Sequence, residues 1–235
     1  RINLIDLHLD RLRRACTIMD IQFPTALSSE NVSEMISELA SLNNLKGTIR
    51  AKLTVWRNQG GLYSPSNQTA SYYIDVKETD SPVYGGLEEI GISEIHHTQF
   101  SPISFAKTTS ALTYVLAGRE KVQRQYDDII LTDNEGNLSE SHVANLFWVS
   151  GSHIFTPSIS TGCIAGVMRS FILEFYRNKN NSINEVRMTK EVLENADSIF
   201  ISNASGIRYF SMYNEKPLSN PENLLEELLI QLQQP

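Results

Sequence analysis

Apolar residues recur at two different periods along this 235-residue chain. Residues 4–19 (LIDLHLDRLRRACTIM) place Leu4, Leu7, Leu12, Ala15 and Met19 at helical spacing, against Arg11, Arg13 and Arg14. Residues 49–56 (IRAKLTVW) instead alternate with the two-residue period of a strand. The exchange continues to the end of the chain. A helix is expected over 31–42 after Ser28-Ser29-Glu30, and a strand over 71–77. Farther on come a helix over 108–124, strands over 128–132 (DIILT) and 144–149 (ANLFWV), and Ile154–Thr156 leading into a turn. A helix follows Gly166 to about Arg177, another opens at Thr189-Lys190-Glu191, a strand covers 198–202, and a last helix covers 221–234. Acidic residues in the first turns of that last helix suit its dipole. Interleaved periods of this kind predict a mixed α/β (α+β) protein. The segment Glu78-Thr79-Asp80-Ser81-Pro82 reads as a linker, giving a smaller part over 1–84 and a larger one over 85–235.

Composition narrows the function. A net charge of −7 and an isoelectric point near 5.3 argue against nucleic acid or an anionic membrane as the main partner. Cys16 and Cys163 have neither CxxC nor metal-ligand spacing, so no disulfide framework and no metal site are expected. No apolar run approaches the roughly 20 residues that span a bilayer, and a cytoplasmic protein is expected. Asn-x-Ser/Thr triplets such as Asn67-Gln68-Thr69 then count as coincidences. The chain opens at Arg1-Ile2-Asn3 without an initiator Met, so a missing N-terminal piece is expected.

From Ile103 to Gly118 the one side chain charged at neutral pH is Lys107. A lysine in such a setting either snorkels to water or is buried for chemistry, and the residues downstream favour chemistry. Glu140 lies in Leu138-Ser139-Glu140-Ser141-His142, ahead of the apolar strand; on its own it would be a solvated turn residue. Thr156-Pro157 and then Gly162–Arg169 (GCIAGVMR) open an amphipathic helix whose backbone N–H groups can approach an anion. Phe200–Gly206 (FISNASG) is a strand that breaks into small polar residues. Each feature is common alone. In this order they describe what pyridoxal phosphate needs: an amine for its aldehyde, an acid to keep its pyridine nitrogen protonated, and backbone amides with a basic side chain such as Arg11 for its phosphate.

These motifs resemble the class IV aminotransferase family, the fold-type IV pyridoxal-phosphate enzymes. The family includes branched-chain aminotransferases, D-amino-acid aminotransferases and aminodeoxychorismate lyase. His8-Leu9-Asp10-Arg11-Leu12 is similar to the H-x-x-R-L motif whose arginine binds the phosphate. The resemblance implies that Lys107 is the Schiff-base lysine, that Glu140 pairs with the pyridine nitrogen, and that Asn145 is the family asparagine five residues later. Thr156-Pro157 and Gly166-Val167-Met168-Arg169 resemble T-P and G-[IV]-x-R, with Val167 and Met168 meeting the phosphate and Asn203-Ala204 forming its other turn. It also implies a two-domain fold like that of D-amino-acid aminotransferase, and a homodimer with active sites near the subunit interface.

Three departures stand out. The Y-G-D-G-x-F-E-like N-terminal region is absent, so the chain is expected to be truncated. Relatives carry R-G-x-G-G-R-G-Y where this chain reads Arg57-Asn58-Gln59-Gly60-Gly61-Leu62-Tyr63, without the second arginine. Tyr114 stands seven residues after Lys107, whereas branched-chain enzymes place a tyrosine at five. The wording A-N-L-F-W, G-V-M-R and Asn203-Ala204 favours a lyase that takes 4-amino-4-deoxychorismate to pyruvate and 4-aminobenzoate, in folate biosynthesis. The alternatives are an amino-acid transaminase for branched-chain or D-amino acids and a non-catalytic pyridoxal-phosphate-binding protein. In either catalytic reading a small amino compound is the substrate, and burial should lower the Lys107 pKa. Trp56 and Trp148 are expected in the core. His96-His97 should be a loop pair, His8 structural and Cys163 a packing residue, with His142 either lining the pocket or exposed.

Overall fold

The computed structural model describes residues 2–179 and 183–233, which form two compact units divided between Ser81 and Pro82. In the first unit, helices α1 (Ile5–Ile18) and α2 (Ser29–Leu42) pack on an antiparallel pair, β1 (Ile49–Arg57) and β2 (Ala70–Glu78). Ser28 caps α2 by accepting from the Asn31 N–H at 3.1 Å, which satisfies a donor the helix cannot. Leu9, Leu27 and Val32 centre the small core, with Leu53, Val55 and Tyr72 of the strands against them. Trp56 points away and is 46% exposed, contrary to expectation, because the next residue pair across the hairpin faces the other side.

The second unit is built on nine strands. These are β3 (Val83–Thr98), β4 (Asp128–Asp133), β5 (Leu138–Ser141), β6 (Asn145–Ser150), β7 (His153–Pro157), β8 (Ile183–Val186), β9 (Ser198–Asn203), β10 (Gly206–Tyr213) and β11 (Lys216–Pro217). Six of them form a ring in which β10 pairs with β3, then β4, β5, β6 and β9, and β9 pairs back onto β10. Its inner face carries Ile90, Ile130, Leu138, Leu146, Trp148, Ile201 and Phe210. The neighbouring residues of the same strands face outward. Phe147, Val149 and Phe200 lie under α4 (Val167–Asn178) and α5 (Glu222–Gln233), and Ile129 and Leu131 lie against Ala117 of α3 (Leu112–Gln123). The apolar run ANLFWV is thus covered on both faces, which is why it does not alternate in polarity.

Several elements differ from expectation. Helix α3 begins at Leu112 rather than 108, since Thr108, Thr109 and Ser110 favour non-helical backbone. Residues 190–195 form a short 3₁₀ segment, of which Leu193 alone is in the core. Strand β3 gave no period-2 signal because glycines interrupt it; Gly91 is required, as a Cβ there would fall 2.1 Å from the Tyr126 ring. His96 and His97 lie in that strand rather than a loop, with His97 Nδ1 3.0 Å from Thr132 Oγ1. Gln234, placed in the last helix by its pattern, lies outside the described residues. No helix among the described residues is long and apolar enough to cross a membrane.

Candidate active site

Residues paired directly across strands share a face. Leu131 pairs with Glu140, Glu140 with Asn145, and Asn145 with Ser202. The outer face of the ring therefore carries a row of carboxylate, amide and hydroxyl. One pair along, Phe147 and Phe200 stack at 4.8 Å beneath α4. The polar row ends where α4 begins, beside the helix start at Gly166. All three side chains are buried, Glu140 to 3% exposure, so each needs partners.

Glu140 has several. Its Oε1 accepts from the Tyr114 hydroxyl at 2.7 Å, and its two oxygens share the Ile164 N–H at 3.2 and 3.1 Å. The Asn145 amide lies 3.5 Å from Oε2 and donates at 2.7 Å to the Ile164 carbonyl. The next residue of that loop ties in the Lys107 segment: the Ala165 N–H donates to the Phe105 carbonyl at 2.9 Å. Gly162, at φ 88°, lets the loop press on the backbone of Gln99, which a Cβ would meet at 2.6 Å. Gly166 is needed for a second close approach, since a Cβ there would sit 1.8 Å from Asn145 Oδ1. That glycine also leaves the first turn of α4 without a side-chain cap. Its backbone N–H groups thus keep their donors for another acceptor.

Burial dominates the electrostatics. It pushes the Glu140 carboxyl up to about 7, against the pull of Tyr114, the Ile164 N–H and the charges of Lys107 and Arg169. The Tyr114 phenol is raised by burial and by the adjacent carboxylate, so it stays a donor. Burial pushes Cys163 up to about 12, which makes it a neutral thiol rather than a nucleophile. His142 does not stand exposed: its Nδ1 is 2.7 Å from Oδ1 of buried Asp128.

The fold brings Lys107, Glu140, Asn145 and the start of α4 together in the second unit. Lys107 is exposed in the single chain, not buried as its apolar surroundings suggested, although Phe105 and Ala106 just before it are buried. The Val167 side chain is buried and Met168 packs in the outer core, so any anion contact from these two is through backbone N–H groups. Asn203 closes the β9–β10 turn, accepting from Ser205 N–H at 2.7 Å and donating to the Val143 carbonyl at 3.2 Å; Ala204 is exposed beside it. Arg11 is on α1 in the first unit, half-buried, with its pKa lowered by desolvation. In that unit Arg57 donates to the carbonyls of Asp20 and Asn67, at 2.8 and 2.9 Å, and to that of Met19. The lone arginine of the RNQGGLY segment therefore ties its own loop to the turn after α1.

Sequence reasoning missed Tyr114 as a partner of Glu140, and it missed Ser202. The Ser202 Oγ is buried with no protein partner, and so is Arg169 Nε, whose guanidinium otherwise binds the Pro157 carbonyl and Glu185. No local pattern marks Ser202; its place follows from the β6–β9 pairing. Among the described residues no group of three His, Cys, Asp or Glu side chains could hold a metal ion. A buried carboxylate held by donors, an uncapped helix start, an orphaned hydroxyl and a nearby amine fit pyridoxal phosphate, an anion with a basic ring nitrogen.

Comparison with known proteins agrees. The chain is 26% identical over 204 residues to an aminodeoxychorismate lyase of Bacillus subtilis, covering 86% of this chain and 69% of that protein. It is 27% identical over 206 residues to a branched-chain-amino-acid aminotransferase of Escherichia coli K12, covering 83% and 65%. A branched-chain aminotransferase of the archaeon Thermoproteus uzoniensis, solved with norvaline, superposes with a TM-score of 0.84 at 21% identity, covering 99% and 78%. The amino-transferase class IV family model matches residues 1–210. The chain therefore belongs to the class IV aminotransferases, a family of pyridoxal-phosphate-dependent enzymes.

Proposed function

We propose that this protein is a pyridoxal-phosphate-dependent lyase that converts 4-amino-4-deoxychorismate to pyruvate and 4-aminobenzoate. The observation that carries the cofactor reading is the buried Glu140 carboxylate, held by Tyr114 and Ile164 with the Lys107 charge bearing on it. Bound there, pyridoxal phosphate supplies an aldehyde for the substrate amine and a ring that withdraws electrons. Glu140 keeps a proton on the ring nitrogen. Lys107 Nζ is the amine that would hold the aldehyde, and it would move the proton at the substrate α-carbon. The uncapped N–H groups at Val167 and Met168, with the Asn203-Ala204 turn, would bind the phosphate. Asn145 fixes the loop that carries Ile164.

Support for the lyase over its relatives comes from the Bacillus subtilis likeness and from A-N-L-F-W and Asn203-Ala204, where branched-chain enzymes favour a threonine. A transaminase is the second reading, favoured by the 27% identity to the Escherichia coli aminotransferase, against 26% to the lyase. Purified protein loaded with pyridoxal phosphate and given 4-amino-4-deoxychorismate should form pyruvate and 4-aminobenzoate with no keto acid added. The visible absorption band of the loaded protein should vanish in Lys107→Ala. Product that requires a keto-acid acceptor would make it a transaminase. A band without turnover of any amino compound would make it a binding protein.

A further inference from the structure

Sequence marks Tyr114 only by its spacing from Lys107, yet its hydroxyl meets the site carboxylate at 2.7 Å. We propose that Tyr114 is a positioning residue whose hydroxyl orients the Glu140 carboxylate, and keeps it ionised, for the ring nitrogen of the cofactor. The inference rests on the pyridoxal-phosphate reading of the site.

Tyr114 lies in the first turn of α3, a helix fixed to the ring by Ala117, which is fully buried against Ile129 and Leu131. Its hydroxyl therefore reaches Glu140 from a rigid element rather than a loop. A carboxylate held by one shared N–H can still rotate about its last bond. A second donor on Oε1 alone, at 2.7 Å, stops that rotation. It also leaves the oxygens unequal: Oε1 holds the phenol, while Oε2 has its half of the Ile164 N–H and a long contact to Asn145. Oε2 is thus the oxygen with acceptor capacity to spare for an N⁺–H donor.

Ionisation follows from the same bond. The Tyr114 phenol keeps its proton and donates more strongly to a charged carboxylate than to a neutral one, so the bond favours the anion that a ring N–H needs. The charged groups bearing on Glu140 from other elements are Lys107 and Arg169, and both favour the same anion. Neighbouring Cys163 is a neutral thiol at working pH and does not compete.

Tyr114→Phe removes the hydroxyl and keeps the ring that packs beside Ala117. With ¹³C-labelled glutamate in the apoprotein, and Glu140→Gln to assign the signal, the Glu140 titration midpoint should rise by about one pH unit or more in Tyr114→Phe. Affinity for pyridoxal phosphate near neutral pH should fall severalfold, and the loss should shrink as pH passes the new midpoint. A packing defect would lower affinity equally at every pH. An unmoved Glu140 midpoint in folded Tyr114→Phe, with wild-type protein still taking up the cofactor, would overturn the role of Tyr114 alone. Failure of wild-type protein to take up pyridoxal phosphate at any pH would instead sink the cofactor reading, and with it what Tyr114 does for the ring.

Discussion

Glu140 shows, for a single side chain, how much of a site is set by surroundings. In the sequence it stands in a polar stretch after a turn, LSESH, where a glutamate is ordinarily solvated. In the fold all four residues of β5 are buried, and the carboxyl titrates at about 7 instead of 4.5. The folded apoprotein therefore binds an extra proton between those two values, and the stability this gives is present below about pH 4.5 and lost as pH rises to about 7. The loss should amount to about 3 kcal/mol. Denaturant titrations of apoprotein across this window should show it in wild type and not in Glu140→Gln, which cannot ionise. Glu120, Asp133 and Glu185 act in the opposite sense: their pKa values are lowered, so what they contribute is lost only as pH falls below the ordinary carboxylate range. Once cofactor is bound, Glu140→Gln should lose far more turnover than cofactor affinity, because it can still accept a hydrogen bond but offers the ring nitrogen no charge.

Among the secondary-structure elements, the start of α4 was legible and its reason was not. Glycine at this point suggested a backbone approaching an anion. The structure adds a nearer cause, the contact of Gly166 with Asn145 Oδ1. Gly166→Ala must push Asn145 off its bond to Ile164, and Ile164 is one of the donors that hold Glu140. Overpacking of this kind costs about 1–3 kcal/mol. The variant should melt lower and bind pyridoxal phosphate at least tenfold more weakly (about 1.4 kcal/mol per tenfold); wild-type affinity in the variant would show that Asn145 does not support the site. Arg57, the arginine that remains of the relatives' two-arginine motif, is structural in the fold, with three backbone carbonyls as partners. The carboxylate of a substrate is left to some other group.

Across the molecule as a whole, exposed apolar side chains remain on the second unit. Leu112, Val115 and Val122 lie along α3, exposed by 68%, 58% and 70%, and Ile95 and Phe100 are 70% and 57% exposed. Scattered apolar residues are normal on a monomer, but three on one helix suit a partner surface. The partner proposed is a second copy of the chain, as expected for this family. Light scattering on the eluting protein should give twice the 26.5 kDa chain mass, and Val115→Lys with Val122→Lys should shift it toward a single chain. A monomeric wild-type protein would sink the dimer.

The mixture of helices and strands and the order of the chemical groups can be read along the chain. Those are local properties: apolar period sets the element, and Lys107, Glu140 and the glycine-opened helix keep their spacing whatever the fold. Which of these groups meet, and in what state, is settled in three dimensions alone. That the strands close into a ring, that Glu140, Asn145 and Ser202 form one row, and that Tyr114 reaches the carboxylate all depend on pairings between distant segments. The row draws on β5, β6 and β9, and the last lies about sixty residues from the first along the chain. No window of sequence contains both. Burial, which sets the protonation of Glu140 and the neutrality of Cys163, is equally a property of everything packed around a residue.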